Sequence, residues 1–466
     1  MIKLILAAAA AAAFAAVPSF AGDTAEETCY RYFDGNGAGP DYTEALSHCR
    51  EAAEQGKARA QYLLGQMIEN GKGTAADQAG ALEWYSKAAD QGYVTAEAVV
   101  GAFYFKGVAV KQDTAEAVKW FKKAAGKGEP TSALALFNIY AYGNGVTQDY
   151  AEAAKWVRIA ADKEVPAAEA ALGTLYLNGL GVSEDNEEGL KWIRKASEHG
   201  LPQAQYALGL AYLNGQAVKQ DTAEAVKWFK KAAEKGEPTS ALTLFNIYAY
   251  GNGVKQDYAE AAKWVRIAAD SGLPAAEAAL GTLYLDGLGV SENNEEGIKW
   301  YRKAAEHGYA QAQHLLGLAY LNGQAVKQDT AEAVKWISKA AEQGYADAQA
   351  DFGSLYYSGT GVRQDDAEAA KWLLKAAEQG NADAQEAIGT LYFTGSGVKE
   401  DYAEAARWFT KAAEQDKPDA EFTLGRMYLK GAGVKQDAAA GEKLIREAAE
   451  HGSEEAKAYL KELSGK

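Results

Sequence analysis

Tryptophan sets the frame of this chain. All ten tryptophans, Trp84, Trp120, Trp156, Trp192, Trp228, Trp264, Trp300, Trp336, Trp372 and Trp408, stand 36 residues apart, and Leu444 takes the next place. A fixed period of this length is the mark of stacked structural units. Three more registers keep step with it. Glycine recurs at Gly65, Gly101, Gly173, Gly209, Gly281, Gly317, Gly353, Gly389 and Gly425, with Phe137 and Phe245 in the two gaps. Three places on, tyrosine runs from Tyr104 to Tyr428, after Ile68. A turn glycine runs from Gly71 to Gly431 without exception, and an Ala-Ala pair follows each tryptophan, once as Ala196-Ser197. A longer period overlies these. Lys111-Gln112-Asp113-Thr114-Ala115-Glu116 returns at Lys219 and Lys327, 108 residues apart each time, so a block of three units has been duplicated.

One unit, Ala58 to Tyr93, shows what the period builds. Ala60, Leu64, Gly65 and Ile68 fall at helical spacing, which predicts a helix A over Ala60 to Asn70. Asn70-Gly71-Lys72-Gly73 stops it, because glycine supplies the positive φ of a helix end. Helix B is expected over Asp77 to Asp90, with Ala81, Trp84, Ala88 and Ala89 on one face and Gly92 closing it. Asp113 with Glu116, Asp257 with Glu260 and Asp401 with Glu404 look like capping boxes for helix B. Glycine inside helix A costs about 1 kcal/mol against alanine. The expected compensation is close approach of helix B, with tryptophan filling the space. Units with Phe137 and Phe245 are then expected to pack more widely or to tilt. A single helix pair cannot bury its apolar stripe, whereas stacked neighbours can. No domain boundary is expected between Ala58 and Ser453, and residues 454–466 read as a capping helix.

The chain opens with Lys3, an apolar run from Leu4 to Val17, and Ser19-Phe20-Ala21. That is the layout of a secretory signal peptide, with cleavage expected after Ala21. The run is shorter than the roughly 20 residues a membrane-spanning helix needs. Export to the periplasm or medium follows, with no membrane insertion after cleavage. The only cysteines, Cys29 and Cys49, then enter an oxidising space. An intramolecular disulfide is the default there, with a free thiol pair or intermolecular bridging as the alternatives. The chain carries 48 basic and 64 acidic residues, which disfavours nucleic acid and anionic membranes as partners.

At these registers the chain resembles the Sel1-like repeat family, relatives of tetratricopeptide repeats. The shared pattern is carried almost in full by Ala168 to Ala196: Leu172-Gly173, Tyr176, Gly179, Gly181-Val182, Trp192 and Ala196. The resemblance covers eleven units from Ala58 to Ser453. It implies an all-α fold, a right-handed α/α superhelical solenoid of tandem helix-turn-helix repeats of 36 residues. Glu164 and Asp416 depart from it by replacing the glycine that closes helix B. Residues 22–57 look like a worn first unit, keeping Gly35-Asn36-Gly37, Asp41, Ala45, Ala52-Ala53 and Gly56. Cysteine-rich secreted members of the family link helix pairs by disulfides, which implies a Cys29–Cys49 staple on this end unit.

No catalytic constellation stands out. His199, His307 and His451 share one place near the end of helix B, where a partly positive ring suits the helix terminus. Some secreted family members have been described as β-lactamases or penicillin binders. Ser396-Gly397-Val398-Lys399 fits S-x-x-K, but it lies in an inter-helix turn and the chain lacks the S-D-N and K-T-G partners of such enzymes. No cofactor or metal site is expected. A binding scaffold is favoured, with a cell-wall or β-lactam hydrolase and a structural spacer as alternatives.

By the same resemblance helix A lines the inner face of a curved stack. Two rows there vary while the packing registers do not. The place after the glycine register includes Gln66, Asn138, Asn246 and Arg426, and the place four before it includes Tyr62, Tyr206, His314 and Phe422. Their mixture of apolar surface and neutral hydrogen-bonding groups suits a protein or peptide ligand. By resemblance to peptide-binding tetratricopeptide grooves, Asn138 and Asn246 would clamp a peptide backbone; alternatively both were carried along in the duplicated block. The protein itself is expected to be a monomer.

Overall fold

The computed structural model of the chain describes residues 24–35 and 39–464. The signal segment lies outside the described residues, as do Asn36 and Gly37. Among the described residues there are twenty-five helices and no strand. They fall into two compact units, one ending at Asp221 and one beginning at Thr222. The first holds the helices from Ala25–Asp34 to Pro202–Asn214, the second those from Thr222–Glu234 to Glu454–Ser464. Within each, helices that follow in sequence pack side by side. The chain therefore has the all-α repeat architecture expected of it, one helix pair per 36 residues.

Local chemistry accounts for the helix ends. In the repeat Ala58–Tyr93 the helices run Ala58–Glu69 and Gln78–Asp90. Asp77 is the N-cap of the second, accepting from the backbone N–H of Ala79 and Gly80. Asp113, Asp257 and Asp401 cap in the same way. The reciprocal half of the expected capping box is missing at these three, however. Glu116 turns to Lys119 at 2.7 Å, Glu260 accepts from the Trp264 indole at 3.0 Å, and Glu404 pairs with Arg407. A neighbouring cation or indole N–H, one turn on, outcompetes the cap backbone for the carboxylate. The full box forms only at Thr24 with Glu27 among the described helices.

The packing corrects one expectation. The helix A glycines do make room for helix B, but not for tryptophan. A Cβ on Gly101 would lie 2.7 Å from the Phe121 ring, and one on Gly281 would lie 2.6 Å from Tyr301. Gly173, Gly317, Gly353 and Gly425 meet Ile193, Ile337, Leu373 and Ile445 in the same way. The residue filling the notch is the one after tryptophan. The two phenylalanine repeats exchange this volume: where helix A carries Phe137 or Phe245, the place after tryptophan holds the smaller Val157 or Val265, both fully buried.

Tryptophan faces the repeat before. One core cluster joins Ile337, Ala340 and Ala341 of the helix Thr330–Glu342, Ala348, Phe352 and Leu355 of Ala346–Ser358, and Trp372 of Asp366–Glu378. Trp336 and Trp408 sit likewise in clusters with the two preceding helices. Each indole thus closes a three-helix core that its own repeat could not form alone. Burial of such a ring contributes roughly 1.5–3 kcal/mol.

The two ends differ. Cys29 and Cys49 are fully buried and joined by a disulfide between the helices Ala25–Asp34 and Tyr42–Glu54. At the other end the helix Glu454–Ser464 packs Ala456 against Ile445 and Ala448, and Tyr459 stacks edge-on against Phe422. The helix-closing glycines sit at positive φ, and so do their replacements, Glu164 at 58° and Asp416 at 56°. Ala109 and Ala325, in the turns between helices A and B, share this conformation at 59° and 60°.

Three outcomes follow from this structure. Ala109→Gly, which removes a left-handed alanine, should stabilise the chain by about 0.5–1 kcal/mol in urea denaturation. Gly173→Ala should destabilise it by about 1–3 kcal/mol, because the new methyl would lie 2.8 Å from the Gly189 carbonyl oxygen, which side-chain rotation cannot move. Replacing both cysteines by serine should remove a loop closure worth roughly 3 kcal/mol. Hydrogen exchange should then show fraying confined to the first two helices.

Candidate functional site

Helix A buries its glycine register and leaves the next residue outward. Asn138 and Asn246 are exposed, as is Arg426, while Gln66 is half-buried. Within the second unit the helix Pro238–Tyr250 combines Leu242, Phe245, Asn246 and Tyr250 along one groove of about 440 Å³. Ala278 and Thr282 of the next helix A, Pro274–Asp286, and Tyr309 beyond it form the other wall. Thr282 and Tyr301 share a hydrogen bond of 2.9 Å, so that wall is held from behind. Tyr250 is 70% exposed, as is its counterpart Tyr142 in the first unit. Farther along the second unit Arg426 and Lys430 border another groove, of about 450 Å³, with Phe393, Tyr402 and Thr423.

The row four places earlier is less open. Tyr62 packs its ring between Tyr85 and Tyr93, at 5.6 and 5.2 Å between centroids. Tyr206 is half-buried. Phe422 lies between Tyr459 and the guanidinium of Arg426. His314 is buried, with its Nε2 2.6 Å from an Asp351 carboxylate oxygen of the following helix A. His314 and Phe422 hold adjacent A helices together, and this row offers an edge, not a face, to a ligand. Glu386 belongs to the same row, where burial and then Asp419 push its carboxyl upward.

The histidines at the end of helix B have a more specific role than a helix terminus requires. His199, His307 and His451 each bring Nδ1 to a glutamate of helix A in the same repeat: Glu169 at 2.8 Å, Glu277 at 2.7 Å and Glu421 at 2.9 Å. The glutamates are nearly or wholly buried. The sequence signal was available: a glutamate 30 residues before each of these histidines. Asp416 brings a third ligand atom within 4.8 Å of Glu421 and His451. Those two already satisfy one another, and Asp416 lies exposed.

Ser396 occupies a turn, where its hydroxyl accepts from that of Thr394 at 3.0 Å. A Cβ on the following Gly397 would lie 2.0 Å from the Asp366 carbonyl oxygen, so the glycine of this S-x-x-K match serves the close approach of two chain segments.

Family comparison meets this geometry in every repeat. The Sel1 repeat matches twelve segments between residues 24 and 453, from the first at 24–57 to the last at 418–453, all but residues 238–243 being covered. The chain is a Sel1-repeat protein. Proteins of this family generally mediate protein–protein interaction and are typically non-catalytic. The chain is similar to a protective antigen present in uropathogenic Escherichia coli strains, displaying an SLR fold. That protein is 34% identical with a TM-score of 0.75 over 90% of both chains. A Sel1 repeat protein from Oxalobacter formigenes is 36% identical, with a TM-score of 0.55 over 66% of this chain and 89% of its own. No curated protein matches the chain.

Proposed function

We propose that this Sel1-repeat protein is an exported scaffold that binds a protein or peptide along the outward face of its A helices. One observation carries the reading. The first alanine of each Ala-Ala pair and the helix A glycines are buried in the stack, whereas Asn246 and Tyr250 stand exposed beside an apolar groove. Paired amide and aromatic groups of this kind suit an extended backbone with apolar side chains. Within the second unit Arg426 offers the corresponding place, with His314 and Phe422 at the edges, and within the first unit Gln66 and Asn138 do so, with Tyr62 and Tyr206 at the edges.

The chain then divides into a leader over residues 1–21, a stapled first repeat over 22–57, eleven repeats over 58–453 and a terminal helix over 454–466. The Cys29–Cys49 disulfide supports an oxidising compartment, periplasm or medium, and the relative described as a protective antigen fits it. No helix among the described residues is long and apolar enough to cross a membrane. The acidic surface argues against nucleic acid as ligand, and the mature chain acts as a monomer.

A peptide-display selection on the mature chain tests the reading. Selected ligands should bind Asn246→Ala/Tyr250→Ala at least about tenfold more weakly, the loss expected of a hot spot. Both positions are exposed, so the circular dichroism spectrum and Tm should stay unchanged. Equal affinity for the variant would remove this face from the function. Hydrolysis of a chromogenic β-lactam that disappears in Ser396→Ala would replace the scaffold reading with an enzyme.

A further inference from the structure

Eight repeats hold a polar pair: a residue near the start of helix A and one 30 places later, at the end of helix B. In four repeats both are glutamines: Gln61 with Gln91, Gln313 with Gln343, Gln349 with Gln379 and Gln385 with Gln415, at 2.7–2.8 Å. The helix A glutamine also donates its amide to a carbonyl in the last turn of the preceding repeat. The acceptors are Ala53, Ala305, Ala341 and Ala377, at 3.0–3.1 Å. One side chain thus ties three helices, adding a second donor to a carbonyl that also accepts from the helix-closing glycine.

In four other repeats helix A carries glutamate and helix B a basic residue. Glu169, Glu277 and Glu421 face histidine, and Glu97 faces Lys127 at 2.7 Å. A carboxylate has no N–H for the preceding helix. Glu97 Oε2 and Glu169 Oε1 are accordingly buried without a partner.

We infer that Glu169 and His199 form a proton-sensitive clamp, which ties the start of the helix Pro166–Asn178 more firmly to the end of the helix Asn186–Glu198 as pH falls. A proton on His199 makes the pair ionic. The surroundings favour that proton. Glu164 in the preceding turn and Glu198 on helix B add negative potential at His199. On the helix Tyr150–Ala161, Arg158 is engaged by the Tyr176 hydroxyl, and Glu152 by the Trp156 indole and Lys155. Asp162 and Lys163 lie exposed in the turn that follows. On Asn186–Glu198, Glu188 pairs with Lys191, Arg194 with Tyr212, and Lys195 lies over the Trp192 ring; Glu187 is exposed. Glu169 is the sole charge on its own helix, and the helix Pro202–Asn214 carries none.

The hydrogen bond to Glu169, then its charge, holds the His199 imidazole above its ordinary range. A group whose pKa is raised on folding lends stability that is complete below its unfolded value, ~6.5 for histidine. That stability fades as pH climbs through the raised folded value. The joint is therefore firmest in acid and loosens through and above neutrality, opposite to ordinary acid denaturation.

Hydrogen exchange on the full chain at pH 5.5 and 8 decides the matter, read as protection factors relative to the joint at Gln385. Protection of the helices Pro166–Asn178 and Asn186–Glu198 should be roughly threefold or more higher in acid, since one pKa unit corresponds to tenfold. Glu169→Gln/His199→Gln installs a pair the chain already uses four times, so it should fold and lose the pH response. Gln349→Glu/Gln379→His should confer the response on its own joint. A response that survives the first variant, or fails to arise in the second, overturns the inference.

Discussion

The stack depends on an indole that leaves its own repeat. Trp372, Trp336 and Trp408 each close a core made of one helix from the preceding repeat and one from their own. No helix pair has a complete interior, so stability resides in the joints, as nearest-neighbour terms. The other registers serve that contact. The Ala-Ala pairs let helices approach, with Ala340, Ala341, Ala376 and Ala377 all buried. The notch glycines bring helix B near enough for the ring to reach across.

Much of this was legible because periodicity encodes it directly. Helix identity, the turns and the all-α repeat fold follow from registers that return every 36 residues. What escaped was the partner of each register. A period says that a glycine and a tryptophan keep step but not that they touch, and the notch belongs to the next residue, such as Phe121 or Tyr301. The capping glutamates were misread because a local motif cannot see a competing indole one turn ahead, as at Trp264. The histidine–glutamate pairs were hidden by the 30 residues between their members.

The candidate surface was legible only in part. Variable rows on helix A pointed to Asn138 and Asn246, and both are exposed. The same reasoning picked His314, whose burial beside Asp351 depends on the spacing of neighbouring A helices, which the period does not specify. Tyr142 and Tyr250 were passed over because they end the helix and sit outside both rows, yet they are the most exposed large aromatics among the described residues.

The exchange of volume between helices A and B has a genetic corollary. Phe245 fits because Val265 is small, and Gly281 fits because Tyr301 is large. A recombination breakpoint between the two helices of a repeat would set phenylalanine against tyrosine and overfill the interior, or glycine against valine and leave it hollow. Breakpoints between repeats preserve every match. Arrays of this kind should therefore lengthen and shorten by whole helix pairs, and the block shared by residues 111–116, 219–224 and 327–332 is the trace of such events.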